Sequence, residues 1–69
     1  MDASKIGNLI YELRVARNMT QKQLAERLFI SDKTVSKWER GGGFPDLALL
    51  PDIAQVLDVR LEDLLRGEI

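Results

Sequence analysis

Apolar residues along this chain recur at helical spacing, and no segment shows the strict alternation of a half-buried strand. Ile6, Leu9, Ile10 and Leu13 follow i, i+3, i+4, i+7 and predict a first helix from about Ser4 to Arg17. Asn18-Met19 interrupts it. Leu24, Ala25 and Leu28 line one face of a second helix, for which Thr20 is the N-cap and Gln23, three residues on, completes a capping box. Val35 and Trp38, three apart, give a third helix a thin apolar seam; Ser31 caps its start, and Gly41-Gly42-Gly43 stops it after Arg40. Pro45-Asp46 opens the next element, with Leu47, Leu50, Ile53, Ala54 and Leu57 as its core face. Pro51 sits awkwardly inside it because its ring removes a backbone donor. The expectation is a loose turn over residues 47–49 and a proper helix from about Leu50. Asp58 suits the left-handed conformation that ends this helix, and Leu61, Leu64 and Leu65 mark a short fifth one.

Five helices without strands predict a compact all-α bundle, one domain over residues 1–69. Its core is Leu9, Leu13, Leu24, Ala25, Leu28, Val35, Trp38, Leu50, Ile53, Leu57 and Leu64. The 69 residues are near the lower limit for a fold held by a hydrophobic core alone, but 45% of them are apolar, so a folded domain is expected rather than a disordered tail. The chain has no cysteine and no histidine, which removes disulfides, thiolate metal sites and zinc fingers. No glycine-rich phosphate loop precedes a helix, and nothing organises a nucleophile, so neither an enzyme nor a cofactor or metal site is expected. No apolar run approaches the roughly 18–20 residues of a membrane span, and no signal-peptide pattern opens the chain. The expectation is a soluble, cytoplasmic protein.

A net charge of −1 argues superficially against nucleic acid. The distribution changes that picture. Between Arg14 and Arg40 seven cations (Arg14, Arg17, Lys22, Arg27, Lys33, Lys37, Arg40) stand against Glu26, Asp32 and Glu39. From Gly41 onward Arg60 and Arg66 stand against six acids. A basic middle and an acidic C-terminal third suggest one surface toward phosphate and another away from it. Around the Val35/Trp38 seam lie Asp32, Lys33, Thr34, Ser36, Lys37 and Arg40. A short helix of this kind can rest one side on a core and place the other in a DNA major groove.

The segment Thr20–Gly41, TQKQLAERLFISDKTVSKWERG, followed by FPDLALLPDIAQVLDVRLEDLL, resembles the helix-turn-helix domain of the phage repressor/Cro family, the xenobiotic-response-element type of bacterial transcriptional regulator. The likeness runs from about Ile6 to Leu65. It rests on Gln21 opening helix two, Ala25 in its middle, Val35 and Trp38 on helix three, and the Trp-Glu-Arg-Gly exit. It implies a five-helix, lambda-repressor-like fold with the motif at about residues 21–40, and a recognition helix at about 31–40.

In such a motif the first helix crosses the DNA backbone and the second lies in the major groove. Asp32, Lys33 and Lys37 point away from the seam and are the expected base readers: the lysines donate to guanine O6 and N7, and Asp32 accepts from cytosine N4. Asp32 also suits the helix dipole as an N-terminal acid. The resemblance gives Gln21 the family's role at the start of helix two, where its amide and the free backbone donors meet a phosphate and the side chain braces a base reader. Arg17, Thr20, Lys22, Thr34, Ser36 and Arg40 are further backbone candidates. The resemblance also implies a partly buried salt bridge between Arg14 and Glu39, fixing the recognition helix against helix one.

Two residues depart from the pattern. Phe29 stands where the family often has glycine, so either left-handed strain or a differently bent turn is expected, with Phe29 partly covering the core. Arg60 replaces a small capping residue, which predicts a fraying last helix. The function implied is a sequence-specific regulator, a repressor by preference, that dimerises on pseudo-palindromic double-stranded DNA. The alternatives are an antitoxin or control protein that autoregulates and binds a protein partner, and a protein-interaction module that has lost DNA. A sensing or dimerising domain beyond residue 69 is compatible with all three.

Overall fold

Regular structure starts at Asp2, whose carboxylate accepts from the Ser4 and Lys5 backbone N–H groups at 2.9 and 3.1 Å. The computed structural model describes residues 1–69, and there this cap opens α1, Ala3–Ala16. It is followed by α2 (Gln21–Leu28), α3 (Asp32–Glu39), a 3₁₀ turn (Leu47–Leu49), α4 (Leu50–Leu57) and α5 (Leu61–Arg66). No helix is long and apolar enough to cross a membrane. The capping box of α2 forms in both directions: the Thr20 hydroxyl accepts from the Gln23 N–H at 3.0 Å, and the Gln23 side chain accepts from the Thr20 N–H at 2.8 Å. Ser31 caps α3 by accepting from the Lys33 N–H at 3.0 Å.

All five helices end the same way. A left-handed residue (Asn18, Phe29, Gly41, Asp58 or Gly67) is followed by an N–H that bonds back to the carbonyl five residues earlier. Asparagine and aspartate tolerate this conformation, and glycine has no side chain to oppose it. Phe29, at φ 59° and ψ 41°, is the bulky exception. Its side chain is 95% exposed, so it does not cover the core as expected. The left-handed position turns a side chain outward, and the residue after it turns in. Ile30, like Met19 and Val59 after the equivalent turns, packs against the core instead.

Apart from Leu47, every expected core residue is buried, and with Ile6, Ile10 and Ala54 they form one cluster of 14. Each large aliphatic side chain so removed from water contributes about 1.5–3 kcal/mol toward folding. Leu47 is the correction: at 75% exposure it belongs to the 3₁₀ turn, whose geometry does not continue the helical stripe of α4 backward. Pro51 is not awkward either. It occupies the first turn of α4, where a backbone N–H has no intrahelical partner to lose. Arg60 gives α5 no side-chain cap, yet its guanidinium pairs with Asp63 at 3.1 and 3.2 Å across the first turn, and α5 is complete over Leu61–Arg66.

Candidate nucleic-acid interface

The seam of α3 does as its spacing predicts: Val35 and Trp38 are buried against α1 and α2. That leaves Asp32, Lys33, Lys37 and Arg40 exposed on the other side, with Thr34 and Ser36 half-buried. Ser36 lies one turn beyond both Asp32 and Lys33, so it shares their face. None of Asp32, Lys33 and Lys37 enters an ion pair with the rest of the chain. The stem of Lys37 leans on the glycine run: a Cβ at Gly42 would lie 3.1 Å from its Cγ, and one at Gly43 3.2 Å from its Cε. The base-reading candidates are thus gathered on one open surface.

The opposite side of α3 is locked. Arg14 donates from Nε and Nη2 to the two carboxylate oxygens of Glu39 at 2.7 and 2.9 Å, and from Nη1 to the Met19 carbonyl at 2.7 Å. Their side chains are only 10% and 5% exposed. The hydrogen bonds to Glu39 hold the Arg14 guanidinium above its ordinary pKa, with desolvation opposing and the Glu39 charge adding to the rise. Arg14 also lies over the Tyr11 ring, 5.4 Å from its centroid. The bidentate geometry and near-complete desolvation separate this pair from a surface salt bridge. Helical spacing already puts Tyr11, three residues before Arg14, on its face. Periodicity could not have found the Met19 carbonyl, which reaches Arg14 through the turn after α1.

Gln21, the expected phosphate contact and brace at the start of α2, has its amide engaged within the chain. Its Nε2 donates to Glu39 Oε1 at 3.0 Å, tying the start of α2 to the same carboxylate. What α2 still offers is its first backbone N–H groups and the exposed Lys22. Thr20 is engaged as a cap. Arg17, half-buried, and Arg40, exposed, fold back on the carbonyls of Leu13 and Ser36, each at 3.2 Å. The site therefore has two layers: an exposed polar face on α3, and beneath it one carboxylate that gathers α1, α2 and α3.

Residues 10–64 match the helix-turn-helix family model. Among curated relatives, the HTH-type transcriptional activator BcrR of Enterococcus faecalis is 42% identical over 86% of this chain and 29% of its own length. The cryptic phage CTXphi transcriptional repressor RstR of Vibrio cholerae is 35% identical over 87% of this chain and 54% of its own. The chain thus spans between about a third and about half of these two relatives. Among solved structures, the restriction-modification controller protein C.AhdI from Aeromonas hydrophila superposes with a TM-score of 0.83 at 30% identity, over 91% of this chain and 96% of that one. On the motif, the buried network beneath it and these likenesses, the chain belongs to the helix-turn-helix family of DNA-binding domains.

Proposed function

We propose that this chain is a sequence-specific DNA-binding transcriptional regulator, acting in the bacterial cytoplasm with α3 in the major groove. The observation that carries the reading is the asymmetry of α3: Asp32, Lys33 and Lys37 are exposed and unpaired on a helix whose other side is pinned by Val35, Trp38 and Glu39. In this reading Lys33 and Lys37 donate to guanine, Asp32 accepts from cytosine, and Lys22, Arg17, Arg40 and the free N–H groups of α2 meet phosphates. One such helix reads only a few base pairs. Two copies on a pseudo-palindrome, with half-sites about one helical turn apart, supply the remaining specificity.

Repression is the direction proposed, since it requires only occupancy of an operator, whereas activation requires a further contact surface. RstR is named a repressor and BcrR an activator, so a reporter assay decides between the two directions. DNA binding itself is tested by in vitro selection from a random duplex library, followed by titration of the winning sequence at several salt concentrations. A selected duplex bound with a steep salt slope supports the reading. Enrichment of nothing, or binding indifferent to Lys33→Ala and Lys37→Ala, defeats it.

A further inference from the structure

We infer that Gly7 is a positioning residue of the DNA-reading surface: it is the seat on which the exit end of the recognition helix rests against α1. The inference builds on the DNA-binding reading above. Gly7 lies in the second turn of α1 and is buried, although it has no side chain to contribute to the core. Glycine is a poor choice inside a helix, because it gives up more backbone freedom than alanine would.

The surroundings supply the reason. A Cβ on Gly7 would overlap the Trp38 carbonyl oxygen, and would stand 2.8 Å from the carbonyl carbon and 3.3 Å from the Glu39 Cα. All three are backbone atoms of α3 and its last turn, so no side-chain rotation relieves the collision. The helices would have to part.

Gly7 and Arg14 are seven residues apart, two turns along α1, and so share the face that looks at α3. They do different work on the same residues. Arg14 grips the Glu39 side chain and sets the rotation of α3 about its axis. Gly7 admits the Trp38–Glu39 backbone and sets how closely α3 approaches. One turn earlier on α1, Ser4 lies close to the exit as well: a Cβ on Gly41, the left-handed residue after α3, would stand 2.7 Å from the Ser4 Oγ and 3.3 Å from the Ser4 Cα. Lifting the exit end of an eight-residue helix swings its entry end, where Asp32 and Lys33 stand. Base readout depends on that angle, whereas contact with phosphates at large tolerates a change in it.

The test is Gly7→Ala in the 69-residue chain, measured on the duplex recovered by in vitro selection and on a scrambled duplex of equal length at low salt. Ala54→Gly, a buried change on α4, serves as the control for simple destabilisation. With folding verified by helical circular dichroism, Gly7→Ala should bind the selected duplex about tenfold more weakly or worse and the scrambled one within about twofold of the parent. The fluorescence of Trp38, the chain's one tryptophan, should shift in Gly7→Ala and not in Ala54→Gly. Should Gly7→Ala be unfolded in buffer, both chains are compared in an osmolyte that restores the helical signal. Parental affinity for the selected duplex, a parallel loss on both duplexes, or a variant that no osmolyte refolds overturns the inference. Enrichment of no duplex by the parent chain defeats the DNA reading itself and takes this one with it.

Discussion

The two ends of the recognition helix are built on opposite principles. At the entry, Ser31 supplies one cap bond, and Asp32 and Lys33 then stand in solvent with no partner in the chain. At the exit, Trp38 is 3% exposed, Glu39 holds both Arg14 and Gln21, and the backbone rests on Gly7. Packing is concentrated at the exit of the helix, and side chains without a partner in the chain open its entry. The lesson is separability: the residues proposed to read sequence can change without loosening the fold, because none of them belongs to the core or to the Arg14–Glu39 network.

The most severe way to break that contrast is at the exit. Removing one partner of the Arg14–Glu39 pair strands a charge that is largely out of water, so Glu39→Ala or Arg14→Ala should cost about 3–5 kcal/mol in urea unfolding. A double replacement by apolar residues, Arg14→Met with Glu39→Leu, should cost less than either single change. Losses below about 1 kcal/mol, the range of an exposed pair, would put the two ends of α3 on an equal footing.

On the open face of α3, which runs from Asp32 and Lys33 in the first turn to Lys37 in the last, the expectation reverses. Lys33→Ala and Lys37→Ala should each weaken binding to the selected duplex by about 1–3 kcal/mol while unfolding stays within about 0.5 kcal/mol of the parent. Asp32→Ala should relax the preference at a single base pair, read by repeating the selection. A lysine variant that unfolds early would show that the reading face also carries the fold.

The turn ahead of α3 offers a smaller effect of opposite sign. Phe29 is fully out in solvent in a left-handed conformation, so Phe29→Gly removes strain and few contacts. After the flexibility glycine adds to the unfolded chain, a net gain of about 0.5–1 kcal/mol is expected from thermal melting. The smallest effect sharpens the comparison through its flatness. Arg14's pKa is raised in the folded state, so its contribution is complete below the unfolded value and is lost only as pH climbs through the folded one. Both lie far into the alkaline range. The stability gap between the parent and Arg14→Ala should therefore stay constant from about pH 7 to about pH 10.

Local chemistry explains which parts of this were legible in the chain. Thr20 with Gln23, Ser31 and Asp58 act within one turn of themselves, and each does in the structure what its residue type predicts. The buried stripe was equally readable because helical periodicity already encodes it. Leu47 misled because periodicity assumes a continuous helix, and a 3₁₀ turn breaks the phase. Phe29 misled because side-chain direction in a left-handed turn is set by the backbone, and the inward place belonged to Ile30. Of the site, the exposed face of α3 followed from spacing and the Arg14–Glu39 pair from resemblance. The Gln21–Glu39 bond and the role of Gly7 followed from neither, since both depend on helices distant in sequence meeting at one point.

The charge separation along the chain bears on how fast the molecule finds its target. Its principal extents are 24, 23 and 21 Å, several times the Debye length of about 8 Å at physiological salt. A duplex therefore responds to whichever surface is nearest rather than to the net −1. On the proposed reading, an approach led by the acidic C-terminal third should be repelled, and one led by the basic α2–α3 segment drawn in. Steering of this kind would make the association rate fall steeply with salt while the molecule as a whole remains slightly anionic.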